Sequence, residues 1–291
     1  MSELRASVGV IGGSGLYELD NLKVLGEVTP ETPFGEPSDA IVVGEVEGHA
    51  VAFLPRHGRG HRILPTEVNS RANIAALKSI GVEKVVSFSA VGSLKEELPP
   101  LDFVIPSQVI DRTRSRPSTF FGNGVVGHVA FADPFSAPLS NLLYEKAKEL
   151  DLRIHRDETI VCMEGPLFST RAESHLYRSW GAGLINMSAL PEAKLAREAE
   201  LTYALVCMVT DYDCWREEDD DVDIQMVIDN LNKNAAHAKQ LLASVIGDVV
   251  AMPSDPACAD AAKFAILTDK ALLPPETLDR MRYLLPRYFG E

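Results

Sequence analysis

The chain has 291 residues, 46% hydrophobic and 24% charged, which suits a soluble globular protein with a substantial core. Its formal net charge of −14 argues against general binding to nucleic acid or to an anionic membrane, and leaves room for an anionic substrate in a locally basic site. No apolar run approaches the roughly 20 residues that span a bilayer, and Met1-Ser2-Glu3-Leu4-Arg5 lacks the apolar core of a signal peptide. Cys162, Cys207, Cys214 and Cys258 form no CxxC pair, so a zinc site is not expected and the expectation is a reduced, cytoplasmic protein.

In chain order, residues 7–11 read as a short apolar strand running into Gly12-Gly13-Ser14-Gly15. Such a turn offers backbone N–H groups and the Ser14 hydroxyl to an anion, but a tight structural turn explains it equally well. It lacks the Gly-Lys-Ser/Thr of a P-loop and departs from the dinucleotide fingerprint. Residues 40–43 and 50–54 read as strands joined through Glu47-Gly48, a hairpin. The second runs into Pro55-Arg56-His57-Gly58-Arg59-Gly60-His61-Arg62, the most cationic cluster of the chain. Its position at a strand end beside glycines favours phosphate over a merely solvated surface.

A helix is expected over 69–79, then a buried strand over 82–88 ending in Ser89-Ala90-Val91-Gly92-Ser93-Leu94. Strands follow at 104–110 and 158–162, with a helix over 140–149 between them and a Gly- and aromatic-rich loop over 120–134 that contains His128. Glu164-Gly165-Pro166-Leu167-Phe168-Ser169 is irregular and enters a helix capped by Ser169 or Thr170. Asn186-Met187-Ser188 follows a short strand and opens another helix. Residues 203–207 form a buried strand that ends in Thr210-Asp211-Tyr212-Asp213-Cys214-Trp215. On extended backbone, Asp211 and Asp213 project to one face. Two carboxyls held together keep one proton above the ordinary value of about 4. Ile224, Val227, Ile228, Leu231, Ala238, Leu241 and Val245 then trace one face of a long helix. The last forty residues look irregular and then helical.

The expected fold is therefore α/β: one domain over 1–291, with a central mixed, largely parallel twisted sheet flanked by helices. Five strand ends, near residues 14, 56, 89, 188 and 211, would gather at one edge as a single site.

In order, these motifs resemble the trimeric purine nucleoside phosphorylase family, and within it the members that cleave methylthioadenosine. The likeness runs from about residue 8 to about 245 and weakens from about 250. It implies phosphate-dependent cleavage of an N-glycosidic bond with no metal or cofactor, inorganic phosphate being the co-substrate. The phosphate site would comprise Ser14, Arg56, His57, Ser89, Ala90 and Ser188. Phe168 and Ser169 would lie at the base and Met187 against the ribose. Asp211 would protonate N7 while Asp213 binds the exocyclic amino group, with an acid pKa well above that of free Asp. Ile224, Val227 and Ile228 would line the 5′-substituent pocket, unless they are simply helix core. His128 would be donated to a neighbouring subunit, which makes a homotrimer, or a dimer of trimers, functionally necessary.

The aspartate at 211 and the serine at 169 favour a 6-aminopurine. Leu167 and Ala189 depart from the family pattern and bear on breadth, for instance toward 5′-deoxyadenosine or adenosine. Three rival readings stand beside this one: a 6-oxopurine or methylthioinosine phosphorylase, a catalytically silent nucleoside-binding protein, and a dinucleotide-binding dehydrogenase.

Overall fold

The computed structural model of the chain describes residues 4–13, 22–216 and 224–290. Its first half comprises β1 (Val8–Gly12), β2 (Lys23–Val28), β3 (Ile41–Val46), β4 (His49–Pro55), α1 (Ser70–Ser79), β5 (Lys84–Ser93), β6 (Phe103–Arg112) and α2 (Ala137–Glu149). The second half comprises β7 (Ile154–Met163), α3 (Arg171–Ser179), β8 (Leu184–Asn186), α4 (Ala189–Glu198), β9 (Thr202–Asp211) and the long α5 (Ile224–Ala251). Short helices α6 (Pro256–Ala259), α7 (Pro275–Leu284) and α8 (Pro286–Phe289) close the chain.

The strands form one mixed sheet in the order β2-β3-β4-β1-β5-β8-β7-β6-β9, and β9 returns to pair with β5. The last five strands thus close into a ring, and the first four extend from it as a flap. Parallel pairing joins β4, β1, β5 and β9, whereas β8 runs antiparallel to β5 and β6 antiparallel to β9. β5 is central because it is shared. Its first half pairs with β1, its end with β8, and its other edge with β9 throughout.

Continuous apolar runs explain which strands are buried on both faces: every residue of β1 and β9 is buried. Two core layers pack on the ring and flap. One gathers α1, α4 and the C-terminal helices; the other gathers α2 and the inner face of α5. The 47–48 turn closes the β3–β4 hairpin, with Glu47 and Gly48 both in the left-handed region, the conformation a two-residue hairpin needs. Strand β2 was not foreseen. It is a mostly exposed edge strand, and its Lys-Val-Leu-Gly-Glu-Val sequence carries no clean alternation to announce it.

The helices begin where local chemistry stops the extended chain. Thr170 and Glu173 form a reciprocal capping box at α3, Asn69 caps α1 and Ser136 caps α2. The C-terminal segment packs back on the 122–132 loop: Gly127 bridges Ile266, and His128 N donates to Ala265 O at 2.9 Å. Among the described residues no helix is long and apolar enough to cross a membrane.

Candidate active site

Strand β5 lays out the site in linear order. At Ser87 and Phe88 it meets Arg56, which leaves the end of β4. The Arg56 guanidinium donates to Glu192 Oε2 at 2.9 Å and Oε1 at 3.1 Å, to Ser87 Oγ at 2.6 Å and to Phe88 O at 3.0 Å. Four of its five N–H donors are thereby used, and one Nη1 hydrogen is left. Glu192 also accepts from Ser87 Oγ at 2.6 Å and from the Tyr203 hydroxyl at 2.7 Å. Burial works against the charge on both partners, but their mutual attraction and hydrogen bonds outweigh it. Glu192 is held below the usual carboxylate range and Arg56 above its usual value.

Two residues further along β5, Ser89 Oγ lies 2.7 Å from Ser188 Oγ and accepts from Asn186 Nδ2 at 3.0 Å. The antiparallel register explains the meeting. Continued beyond Gly92↔Ile185, it brings residue 188 opposite residue 89. This corrects the expectation of clustered parallel strand ends: β8 reaches the site because it runs against β5. His57 is half-buried, with Nδ1 2.9 Å from Ile63 O. Burial, reinforced by Arg56, lowers its pKa to about 4. Ala90 is half-buried beside Ser89. Ser14 lies outside the described residues.

At its far end β5 meets the acid. Gly92 pairs with Asp211, the last residue of β9. A Cβ at Gly92 would lie 3.0 Å from Asp211 Oδ1 and 3.0 Å from Ile185 Cγ2, so the carboxyl sits where only glycine leaves room. Asp211 is 7% exposed. Thr210 Oγ1 lies 2.7 Å from its Oδ2 and 3.2 Å from Val91 O, and Asp213 N donates to its Oδ1 at 2.8 Å. With the Thr210 hydrogen directed at Val91 O, the hydroxyl can accept from a protonated Asp211.

The pairing does not arise from strand alternation. Asp213 sits in a turn at φ 52°, and its backbone N–H folds back onto Asp211. Burial is the main cause that raises both carboxyls. The charge of Asp213 adds only a smaller push on Asp211, after the opposing Thr210 and Asp213 hydrogen bonds. Asp213 Oδ2 is buried and makes no well-formed hydrogen bond among the described residues, although the Ser174 and Ser169 hydroxyls lie close enough to its carboxyl to offset part of the effect of burial. Trp215 packs in a small apolar cluster with Leu94, Tyr177 and Ile185, anchored by Nε1 to Ser93 O at 2.8 Å.

Met187 is half-buried, with its sulfur against Gly165, where a Cβ would collide with Sδ. Ser169 O accepts from Cys214 Sγ at 3.2 Å, which ties the segment before α3 to the aspartate turn. Phe168 is 48% exposed and Leu167 82%. On α5 the apolar face is buried from Ala238 onward, but Val227 is only half-buried and Ile228 is exposed. Helix core therefore does not account for those two. The Ile224 side chain lies outside what is described. His128 is on the exposed loop braced by the C-terminal segment, and this chain alone does not bring it to the other residues.

Several residues that hold the site were not singled out from the sequence. Glu192 looked like an ordinary helix residue, although a glutamate inside an otherwise apolar helical face was a signal for a buried partner. Arg116 is buried at the end of a charged run. It donates to Met187 O at 2.5 Å, Leu190 O at 2.7 Å and Met163 O at 3.3 Å, and also to Glu164 O. One guanidinium thus ties together the chain ends after β7 and β8. Asn230 and Asn234, one turn apart on α5, donate to Thr210 O at 2.7 Å and Val209 O at 3.0 Å, which docks the helix beside Asp211.

Proteins of similar sequence and fold point to one family. The sequence profile of the phosphorylase superfamily matches residues 7–247. The S-methyl-5′-thioadenosine phosphorylase of Geobacter sulfurreducens is 52% identical over 97% of this chain and 98% of its own; that of Neurospora crassa is 50% identical over 98% and 96%. Among solved structures, a methylthioadenosine phosphorylase from an antarctic soil metagenomic library superposes with a TM-score of 0.93 at 48% identity, covering 97% of this chain and 99% of that one. A mutant adenosine/methylthioadenosine phosphorylase from Schistosoma mansoni, in complex with methylthioadenosine, gives 0.83 at 35% identity, covering 89% and 96%. The chain belongs to the phosphorylase superfamily.

Proposed function

We propose that the protein is a 5′-methylthioadenosine phosphorylase: phosphate attacks C1′ of the nucleoside and releases adenine and 5-methylthioribose 1-phosphate. One observation carries this reading. A single strand carries the Ser89 hydroxyl, 2.7 Å from that of Ser188, and, opposite Gly92, a buried carboxyl. These lie three residues apart, so about 10 Å of extended backbone separates them, enough for a ribose between phosphate and purine.

The chemistry follows from charge. Cleavage leaves positive charge on the sugar and negative charge on the base, so the reaction needs an anion beneath C1′ and a proton at N7. In this reading Ser89, Ser188, the Ala90 backbone, His57 and the remaining Arg56 N–H hold phosphate, together with Ser14. Asp211 delivers the proton, and the raised pKa keeps it available. Asp213, whose Oδ2 makes no well-formed hydrogen bond among the described residues, accepts from the exocyclic amino group. Phe168 and Ser169 flank the base and Met187 lies on the ribose. Val227 and Ile228, apolar and uncovered, suit a methylthio group, with Ile224 on the same helix.

We further take residues 1–291 as one catalytic domain that acts in the cytoplasm without metal or cofactor, phosphate being consumed as co-substrate. A homotrimer completes the 5′ pocket in this reading, because His128 stands on an exposed loop next to the bare Phe264 and Leu267, 88% and 68% exposed. Incubation with 5′-methylthioadenosine, with and without phosphate, tests the function. Adenine should appear only with phosphate; none under either condition refutes it, and release from inosine instead would favour a 6-oxopurine enzyme.

A further inference from the structure

The groups gathered around Ser89 differ from a simple cationic anion trap. Their buried arginine is neutralised by Glu192, which takes two of its hydrogen bonds, so Arg56 offers one N–H and little net charge. The remaining partners among the described residues are hydroxyls, an amide and His57. The His57 ring is oriented by Ile63: a carbonyl oxygen can only accept, so the proton of the neutral imidazole sits on Nδ1. Nε2 then carries a lone pair, and it has no hydrogen-bond partner among the described residues. Burial, Arg56 and His61 all resist a second proton on His57, and they outweigh the Ile63 carbonyl and the already paired Glu192, which favour one.

We propose that His57 Nε2 accepts a hydrogen bond from the bound oxyanion, and so selects a tetrahedral anion that still carries a proton over one that is fully ionised. Phosphate and arsenate retain a P–OH or As–OH hydrogen at neutral pH, whereas sulfate has none. A sulfate oxygen at that position would set a lone pair against a lone pair. This assignment rests on the reading of the pocket as the phosphate site. A site built around a donor–acceptor pair rejects the analogue that cannot complete it, here by about 10-fold to 100-fold.

The test is titration of the full-length protein at neutral pH with phosphate, arsenate and sulfate by calorimetry, alongside adenine release in competition with each anion. Phosphate and arsenate should bind comparably, and sulfate about 10-fold to 100-fold more weakly. In His57→Asn the shorter amide can still donate to Ile63 O but places nothing at Nε2. Phosphate affinity should fall toward that of sulfate, whose own affinity should hold. Equal binding of sulfate and phosphate by the wild type would overturn the proposal, as would an unchanged ratio in a folded variant. If the variant does not fold, the wild-type ratio decides. Failure of adenine release with a normal anion ratio would sink the phosphorylase reading alone, and no binding of any anion would sink both.

Discussion

The two ends of the site treat buried charge in opposite ways. At the oxyanion end, Arg56 and Glu192 are both buried, paired at 2.9 Å and 3.1 Å, and further bonded to Ser87, Phe88 and Tyr203. Almost every donor and acceptor is spent. At the base end, Asp211 and Asp213 are enclosed without any cation paired to them among the described residues, and Asp213 Oδ2 makes no well-formed hydrogen bond there, with only the Ser174 and Ser169 hydroxyls nearby. A satisfied network fixes geometry, and an unsatisfied one keeps a proton poised. In the proposed reading the first end serves stability and orientation, and the second gives up stability for chemistry.

The largest expected effect separates these roles. Asp211→Asn should lower kcat/KM for 5′-methylthioadenosine by about 10²-fold to 10⁴-fold, the range for a lost general acid. Its melting temperature should be equal or higher, because a costly buried carboxyl is removed. Glu192→Ala should do the reverse in kind. It leaves the Arg56 charge buried and unpaired, which costs about 3–5 kcal/mol, so denaturant midpoint should drop sharply and activity should fall along with it. Comparable destabilisation by both variants would erase the contrast.

The pH dependence of stability sharpens it. Asp211 and Asp213 have carboxyl pKa values raised by folding. Their stabilising contribution is complete below the ordinary Asp value of about 4, and is lost as pH rises through the raised folded values. Glu192 is lowered, so its contribution is present above the ordinary Glu value of about 4.3 and is lost as pH falls through the folded one. Urea melts across this acidic range should show a flatter loss of stability with rising pH in Asp211→Asn than in the wild type. An unchanged profile would mean that Asp211 ionises as it would in water.

A smaller effect is expected where an amide only docks a helix. Asn234→Ala removes the bond to Val209 O and should cost about 1–2 kcal/mol, readable as a lower unfolding midpoint. The smallest belongs to the surface: Lys23 meets Glu45 at 3.7 Å with its side chain 71% exposed, and Lys23→Ala should change stability by less than about 1 kcal/mol.

How much of this was legible in the sequence depends on the range of the interaction. Apolar runs such as Tyr203-Ala204-Leu205-Val206-Cys207 announced buried strands, and Glu47-Gly48 announced its hairpin, because those signals are local. Asp211 and Asp213 were found, but for an incomplete reason: the turn at Asp213, with its positive φ and folded-back N–H, was not readable from a period-two pattern. The ring closure by β9 on β5 and the antiparallel entry of β8 are long-range pairings that periodicity does not encode. Glu192 and Arg116 act through partners more than forty residues away in sequence, so their importance is visible only in the folded chain.

The central claim is that Asp211 supplies the proton to the departing purine. The most direct measurement is the pH profile of kcat/KM for 5′-methylthioadenosine in wild type and Asp211→Asn at saturating phosphate. An acid must be protonated to act, so the wild-type rate should fall as pH rises through the raised Asp211 pKa. In the variant that limb should vanish and the remaining rate should be low throughout. A variant that keeps both the wild-type rate and the wild-type limb would contradict the account.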